Sequence, residues 1–412
     1  MKLPKVSFKI SPRFVFYTFV IVLVAFSVGY ALGLKNFSVQ LQASPKVTIN
    51  RELPEGKELD FSLFWRVWDT LETRYYDKTK LNKADMIYGA IQGMVAAIGD
   101  PYTAFLPPDD NKIVQEDLHG SFGGVGIHIG FQGTQLAVVT PLVGSPAEQA
   151  GILPGDLIVG ITDETKAIDT GTFGMSLPEA VNIIRGPAGS VVTLTLLRQG
   201  SDEPLIVDVT RAEIEVPSVS LEFPAENIAH LKITKFAEET VTEWDEKVTE
   251  ILLNPGIDSI ILDVRNNSGG YLQAAVDIAS DFIDTGDTVV IQEDGTGARN
   301  EIKSEKISRL IRYNTLVLVN KGSASASEIL AGALRDINKT TLVGEITFGK
   351  GTIQDPIQVN GGSALHITTA RWLTPKGTWV NDAGLKPDVE VENDTSTLED
   401  EQLIRALEII SQ

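Results

Sequence analysis

The 412-residue chain contains no cysteine, only four histidines and only four methionines. Without a thiol there is no disulfide, no thiolate metal site, no cysteine nucleophile and no cysteine to carry a lipid, so the fold stands without covalent staples. His119, His128, His230 and His366 lie scattered, with no metal-ligand spacing. That pattern argues against a zinc centre and against a serine-histidine-aspartate triad. Positive charge is also scarce: 35 lysines and arginines face 55 acidic residues, for a formal net charge of -20. Five of the basic residues fall within residues 1–35, which hold no acidic one, so the remainder carries 30 basic against 55 acidic residues. A body this acidic is repelled by nucleic acid and by anionic lipid headgroups, which leaves a protein or peptide as the natural partner.

What is present begins with an uncharged run over residues 14–34. As a helix it spans roughly 30 Å, the thickness of a bilayer's hydrocarbon layer. It is longer than the roughly 7–15-residue apolar core of a cleaved signal peptide. Lys2, Lys5, Lys9 and Arg13 precede it, which puts the amino terminus in the cytoplasm and the body outside. Residues 1–35 therefore read as a cytoplasmic tail and a single-pass cell-membrane anchor. Residues 36–57, with Pro45 and Pro54, read as a linker. A helical module is expected over 58–117. Phe61, Phe64, Trp65, Trp68 and Leu71 recur at helical spacing and predict a helix over 59–76, and 84–98 predicts a second ending at Gly99. The aromatic stripe serves either as core or as a self-association face, the latter giving a homodimer.

Residues 118–212 form the next module, with short strands expected at 125–129, 136–140, 157–161, 191–197 and 205–210 and a helix at 177–184. In Gly123, Gly124, Val125 and Gly126, the glycines leave room for backbone amides to converge on a terminal carboxylate. The segments GGVGIHIG and SPAEQAGILPGDLIVGI resemble those of a PDZ domain. Such a domain binds a peptide with a free carboxyl terminus as an extra strand between a strand edge and a helix.

From Glu222 onward strands at 228–233, 259–263, 315–319 and 340–344 alternate with helices at 239–253, 272–283 and 326–337. The alternation argues for an α/β layer of parallel strands, whose sites gather beyond the strands' carboxyl ends. The loops holding Asn266 to Gly270, Ser323 to Ser325, and Lys350 follow three such ends. Ser325 opens a helix, where unpaired amides favour an anionic intermediate; the Ala326 amide and that of Gly269 or Gly270 are the expected donors. Lys350 can act as a base only if burial lowers its pKa toward neutrality, for which Phe348 and Ile353 are the expected apolar neighbours. Gln354 is positioned to hold the amine. Competing readings exist for each motif. Ser323, Ser325 and Ser327 suit a helix cap, and Ser268 suits its turn. Gly344 to Lys350 has phosphate-loop spacing, but Gly351 stands where serine or threonine would hold magnesium. Glu328 and Arg265 fit a supporting role through ion pairs or hydrogen bonds.

The segments GDPYTAF, LDVRNNSGG, VNKGSASASEILAGAL, GKGTIQ and ALHITTARWLTPKG resemble those of the carboxy-terminal processing peptidases, or tail-specific proteases, from about Leu59 to the end. The resemblance implies Ser325 as nucleophile, Lys350 as general base, Gln354 as the residue positioning the lysine, and Ala326 with Gly269 or Gly270 as the oxyanion pair. It implies no metal or other cofactor. The implied fold is α/β, with a Clp protease/crotonase-like superhelical core over 213–412, an inserted PDZ domain, an N-terminal helical module and one N-terminal transmembrane helix. A membrane-anchored endopeptidase cutting exported proteins near free carboxyl termini is the expected activity; a noncatalytic membrane-tethered PDZ scaffold is the alternative. Two stretches fit less well: Thr378-Trp379-Val380 is bulky, and 162–174 reads as a long loop.

Overall fold

The computed structural model describes residues 60–201, 203–393 and 399–412. The expected membrane anchor (1–35) and linker (36–57) lie outside the described residues. Among the described residues no helix is long and apolar enough to cross a membrane. The chain divides between Ala84 and Asp85 into two compact units.

In the first unit, α1 (Ser62–Arg74) carries the aromatic stripe. Phe64, Trp65 and Trp68 pack ring on ring, with centroids 4.9 Å apart for Phe64–Trp65 and 6.2 Å for Trp65–Trp68. Trp68 is buried, whereas Phe61 and Leu71 remain exposed, so the stripe is only in part core. The next helix, α2 (Lys83–Ala96), ends ahead of Gly99, whose φ of +82° only glycine adopts without strain. A short strand, β1 (Ala104–Leu106), follows where the sequence pattern indicated only helices, and then α3 (Pro108–His119).

The glycine-rich module comprises β2 (Ser121–Gly124), β3 (Ile127–Gln132), β4 (Gln135–Pro141), α4 (Pro146–Gln149), β5 (Leu157–Asp163), β6 (Ile168–Gly171), α5 (Leu177–Ile184), β7 (Val191–Leu197), β8 (Leu205–Thr210) and β9 (Ala212–Glu215). Its sheet runs β3-β4-β5-β7-β8 with β6 beside β5, while β2 and β9 pair as a separate ribbon where the chain enters and leaves. Alternate residues Val192, Leu194 and Leu196 point into its core, as period-two patterning requires. The expected 162–174 loop is largely the β5–β6 hairpin, turned at Asp163, which accepts from the Thr165 and Lys166 amides. Burial alone would raise the Asp163 pKa. Hydrogen bonds from Thr165 and the fully buried Arg211 outweigh it and hold the group at about 2.

The remaining elements are β10 (Val219–Ala225), β11 (Ile228–Ile233), α6 (Thr240–Leu253), β12 (Ser259–Asp263), α7 (Leu272–Ala279), β13 (Thr288–Asp294), β14 (Arg299–Lys303), β15 (Asn314–Val319), α8 (Ala326–Asn338), β16 (Thr341–Gly344), β17 (Thr352–Gln358), β18 (Ala364–Leu373), β19 (Val389–Glu390) and α9 (Glu401–Ile410). One sheet has the order β10-β11-β12-β15-β16-β19, parallel except at β10. Its central strands β11, β12 and β15 are largely buried on both faces, whereas β10 at the edge is mostly exposed. Ile260, Leu262, Val317 and Val319 face the core shared with α6, α7 and α8; Ile261, Leu316 and Leu318 face that of α9. Helix α7 ends at Ala279, short of the expected residue 283; Phe282 and Ile283 beyond it are buried too, so the apolar pattern outruns the helix. A second, antiparallel sheet, β1-β18-β13-β14 with β17 against β18, had no counterpart in the sequence reading. In the parallel sheet Asp263 pairs with Leu318, and Val319 with Gly344, so the three strand ends expected to meet do so on one edge.

Candidate active site

Beyond that edge lies a cavity of about 350 Å³ lined by Ser325, Lys350, Gln354, Gly269, Gly270 and Trp372, among others. Ser325 is the residue immediately before α8 and holds φ +53° and ψ -112°, a conformation unfavourable for any residue with a Cβ. The flanking serines have other tasks. Ser323 and Ser327 are buried, and their hydroxyls donate to the Val264 carbonyl (2.8 Å) and the Asn267 carbonyl (2.8 Å).

The glycine pair packs against this turn. A Cβ on Gly269 would lie 2.9 Å from the Ala324 carbonyl oxygen and 3.1 Å from the Ala326 amide nitrogen, so only glycine lets the two loops approach. The Gly269 N–H donates to Asn267 Oδ1 (2.9 Å), and Asn267 is itself tied to the Ile233 carbonyl (2.9 Å). Gly270 differs: among the described residues its N–H has no acceptor, while its neighbours are fixed by Phe236 N–H to the Gly269 carbonyl (3.0 Å) and Tyr271 N–H to the Phe236 carbonyl (2.8 Å). A Cβ on Gly270, at φ +138°, would overlap the Phe236 carbonyl. Gly270→Ala is therefore expected to displace this strand-like pairing with Phe236.

Lys350 is half-buried. Burial pushes its pKa down, against the opposing pull of the Asp100 and Glu328 carboxylates. The cover differs from the expected one. Phe348 is 56% exposed and turns away from that role, whereas Trp372, Ile353 and Tyr102 are close at hand. The lysine loop is also clamped at its backbone: the Trp372 indole donates to the Lys350 carbonyl (2.8 Å) and the Trp379 indole to the Gly351 carbonyl (2.9 Å). The bulky Thr378-Trp379-Val380 stretch thus buttresses the loop. Gln354, at the same cavity, donates from its amide nitrogen to the hydroxyls of Thr352 (2.9 Å) and Thr368 (3.1 Å).

Glu328 links these parts. Fully buried on the first turn of α8, its carboxylate accepts from the amides of Ser325 (2.9 Å), Gly349 (2.8 Å) and Lys350 (2.9 Å) and from the Thr347 hydroxyl (2.6 Å). One acid thereby fastens the serine turn to the lysine loop. Beneath the glycine loop, Arg265 joins Asp263 (2.7 Å) to Asp400 (2.7 Å), the cap of α9. Burial would raise the Asp263 pKa, but hydrogen bonds from His230 and Arg265 hold it well below the carboxylate range.

The glycine-rich module presents its own groove of about 520 Å³ between β3 and α5, with Ile127, Ile129, Leu177, Val181 and Ile184 among its walls. Gly124, Val125 and Gly126 line it. Gly123 does not; it packs on the Gly186 backbone, its carbonyl accepting the Gly186 amide (3.0 Å).

Three family models match the chain: Peptidase family S41 over residues 227–391, PDZ domain over 138–198, and Activating protease CtpB N-terminal domain over 28–109. The carboxy-terminal processing protease CtpA of Bacillus subtilis is 36% identical over 327 residues, covering 79% of this chain and 68% of the relative. The chain belongs to the carboxy-terminal processing peptidases of family S41. CtpB of the same organism is 34% identical over 333 residues, covering 79% of this chain and 67% of the relative. A putative S41 protease from Bacteroides fragilis shares the fold, with a TM-score of 0.54 at 14% identity over 87% of this chain and 99% of that one. The chain is thus a serine-type peptidase with a PDZ domain, built on mixed α/β structure.

For this S41 peptidase the sequence pointed to Ser325, Lys350, Gln354 and the Gly269–Gly270 pair, which line the cavity, and it gave Glu328 a supporting role without showing which loops the acid links. The signal was there. Ser325 followed three residues later by Glu328 is the spacing at which a helix-opening acid returns to the preceding backbone amide. Nothing local identified Asp100 and Tyr102, which reach the lysine from some 250 positions upstream.

Proposed function

We propose that the chain is a membrane-anchored serine endopeptidase whose PDZ domain samples free carboxyl tails of exported proteins and whose Ser325 and Lys350 cut nearby through an acyl-enzyme. The observation carrying this reading is the convergence, at one cavity, of a strained serine, a lysine whose pKa burial lowers, and an unengaged glycine amide. In its neutral form Lys350 takes the Ser325 proton as Oγ attacks the scissile carbonyl. The Ala326 and Gly270 amides receive the negative oxygen; Gly269 is the weaker candidate because Asn267 engages its N–H. The C–N bond then breaks, the lysine returns the proton to the leaving amine, and water releases the acyl group by the same route. Gln354 steadies the lysine side chain. No metal or nucleotide takes part in these steps.

The same reading includes a single cytoplasmic-in anchor over residues 14–34, an extracytoplasmic body, a Clp protease/crotonase-like superhelical core and a homodimer formed through the aromatic face of the helical module. Tail recognition is assigned to Gly124, Val125 and Gly126, with the carboxylate seated on their amides.

The test is mass spectrometry of products from peptides with apolar free carboxyl termini, against Ser325→Ala. Cleavage near the terminus that disappears in the variant is expected; binding without cleavage by the wild type would instead make the chain a scaffold. A second measurement concerns the tail. Converting the peptide's terminal carboxylate to an amide is expected to weaken binding roughly 10–100-fold, the worth of a charge-assisted hydrogen bond, by fluorescence anisotropy.

A further inference from the structure

The loop between α2 and β1, residues 99–103, stands over the lysine although it belongs to the segment that precedes the PDZ domain. Pairing of β1 with Ala364 to His366 of β18 brings it there. The Tyr102 ring centroid lies 5.2 Å from Lys350 Nζ, within range of a cation over an aromatic face. Asp100 accepts from the Tyr102 amide (3.0 Å) and the Thr103 hydroxyl (2.6 Å). The Thr368 hydroxyl in turn accepts from Gln354 (3.1 Å), and the Thr368 amide donates to the Thr103 hydroxyl (3.0 Å). A continuous polar path therefore runs from Asp100 through Thr103 and Thr368 to Gln354, which lines the same cavity as Lys350.

We propose that Asp100 and Tyr102 are positioning residues for the base: the Tyr102 ring excludes water from the Lys350 amine, and the Asp100 carboxylate supplies the opposing charge that sets when the amine gives up its proton. The inference rests on the serine-lysine reading given above. It makes the loop that β1 carries a required part of the active site.

The charged and titratable groups around the amine come from four elements. Asp100 and Tyr102 come from this loop, Glu328 from α8, His366 from β18 and Asp382 from the C-terminal segment beside Tyr102. His366 is kept neutral by burial and by the lysine's charge, which lower its pKa. Burial, then Asp382, Glu328 and Asp100, raise the Tyr102 pKa, so the phenol stays un-ionised at neutral pH. Asp117 and Lys235, at the rim of the same cavity, are paired with each other. The carboxylates facing the lysine are thus those of Asp100 and Glu328, and Glu328 is tied to backbone amides.

Opposite signs follow for the two residues. Removing the Asp100 charge takes away support for the ammonium, so the amine becomes neutral at lower pH. Removing the Tyr102 ring also removes a cation-ring attraction, but burial is the largest influence on this lysine, and water entry dominates. The amine then becomes neutral only at higher pH.

The experiment follows the rate of Ser325 labelling by a fluorophosphonate across pH, with the full chain in detergent. Wild-type labelling is expected to rise along an acid limb that Lys350→Ala abolishes. In Asp100→Asn, which keeps an oxygen for the Tyr102 amide, the limb moves to lower pH. In Tyr102→Ala it moves to higher pH, with labelling at pH 7 slowed about tenfold. Tyr102→Phe keeps the limb in place. Limbs that stay at the wild-type pH in both Asp100→Asn and Tyr102→Ala, or that move in the same direction, overturn the proposal while leaving the dyad standing. Should Tyr102→Ala not fold, the direction of the Asp100→Asn limb alone decides. Wild-type labelling of Lys350→Ala would overturn the dyad itself, and the proposal with it.

Discussion

Lys350→Ala is expected to reduce peptide cleavage by about 10²–10⁴-fold, the range that a positioned general base contributes. Ser325→Ala should lower it further, to the level left by binding and the anion donors, with the double variant no worse than Ser325→Ala because the two side chains act as a unit. Only the neutral amine can take a proton, so wild-type activity rises with pH through the Lys350 pKa, which burial places below the ordinary lysine value. The same burial has a stability signature. Between its lowered pKa in the fold and the ordinary value near 10.5, the unfolded chain binds more protons than the folded one, and stability therefore rises with pH across that window. Below the window the cost of a buried ammonium is fully present. Lys350→Met should consequently be more stable than wild type at neutral pH and lose that advantage as pH approaches 10.5. Urea unfolding at pH 6 and pH 10.5, beside kcat/KM, checks both halves; a variant less stable than wild type at pH 6 would contradict them.

That a stabilising substitution should abolish activity is consistent with how the site is made. The serine turn, the lysine and the glycine amide each hold a conformation or a charge state that the fold would not choose for itself. Ser325 at φ +53° is held by packing from both sides: the Asn267 carbonyl receives the Ala324 amide (3.0 Å) and the Ser327 hydroxyl (2.8 Å), and Gly269 closes over the turn.

Much of this was legible in the sequence for identifiable reasons. The central parallel strands are buried on both faces, so 228–233 and 259–263 are rich in apolar residues, and the expected boundaries match β11 and β12. Helix α5 was legible because Ser176 precedes a proline and an amphipathic turn. That the loops carrying Ser325 and Lys350 open on one cavity followed from crossover topology. The antiparallel sheet was not legible. Strands such as β14 are mostly exposed and charged, and β17 carries Pro356, both of which weaken a strand signal. Nor could composition reveal that β1 adds to β18, because a three-residue strand has no periodicity to read. Phe348 misled for a related reason: an aromatic beside a lysine in sequence says nothing about which way a loop turns it.

Glu328→Ala is the other substitution expected to be severe. It leaves the amides of Ser325, Gly349 and Lys350 and the Thr347 hydroxyl without their acceptor, the Gly349 and Thr347 donors in buried surroundings. At about 1–3 kcal/mol for each buried unsatisfied donor, losing even two of them consumes a large share of a typical domain's 5–15 kcal/mol. Glu328→Gln is the more informative variant, because it keeps the shape and one carbonyl oxygen but turns an amide NH₂ toward backbone donors. The serine turn and the lysine loop share Oε2 as acceptor, so an amide that keeps its oxygen at Oε1 deprives both Ser325 and Lys350 of their acceptor, and one that keeps it at Oε2 deprives Gly349 and Thr347. A displacement near 1 Å between nucleophile and base is worth about 10²-fold in rate, and kcat is expected to fall by at least that much while KM changes little. The lost charge also removes one of the two carboxylates that hold the lysine protonated, so the acid limb of kcat/KM should move to lower pH. A merely destabilised enzyme would lose active fraction without moving that limb. Glu328→Gln with wild-type kcat would show that the acid serves folding alone.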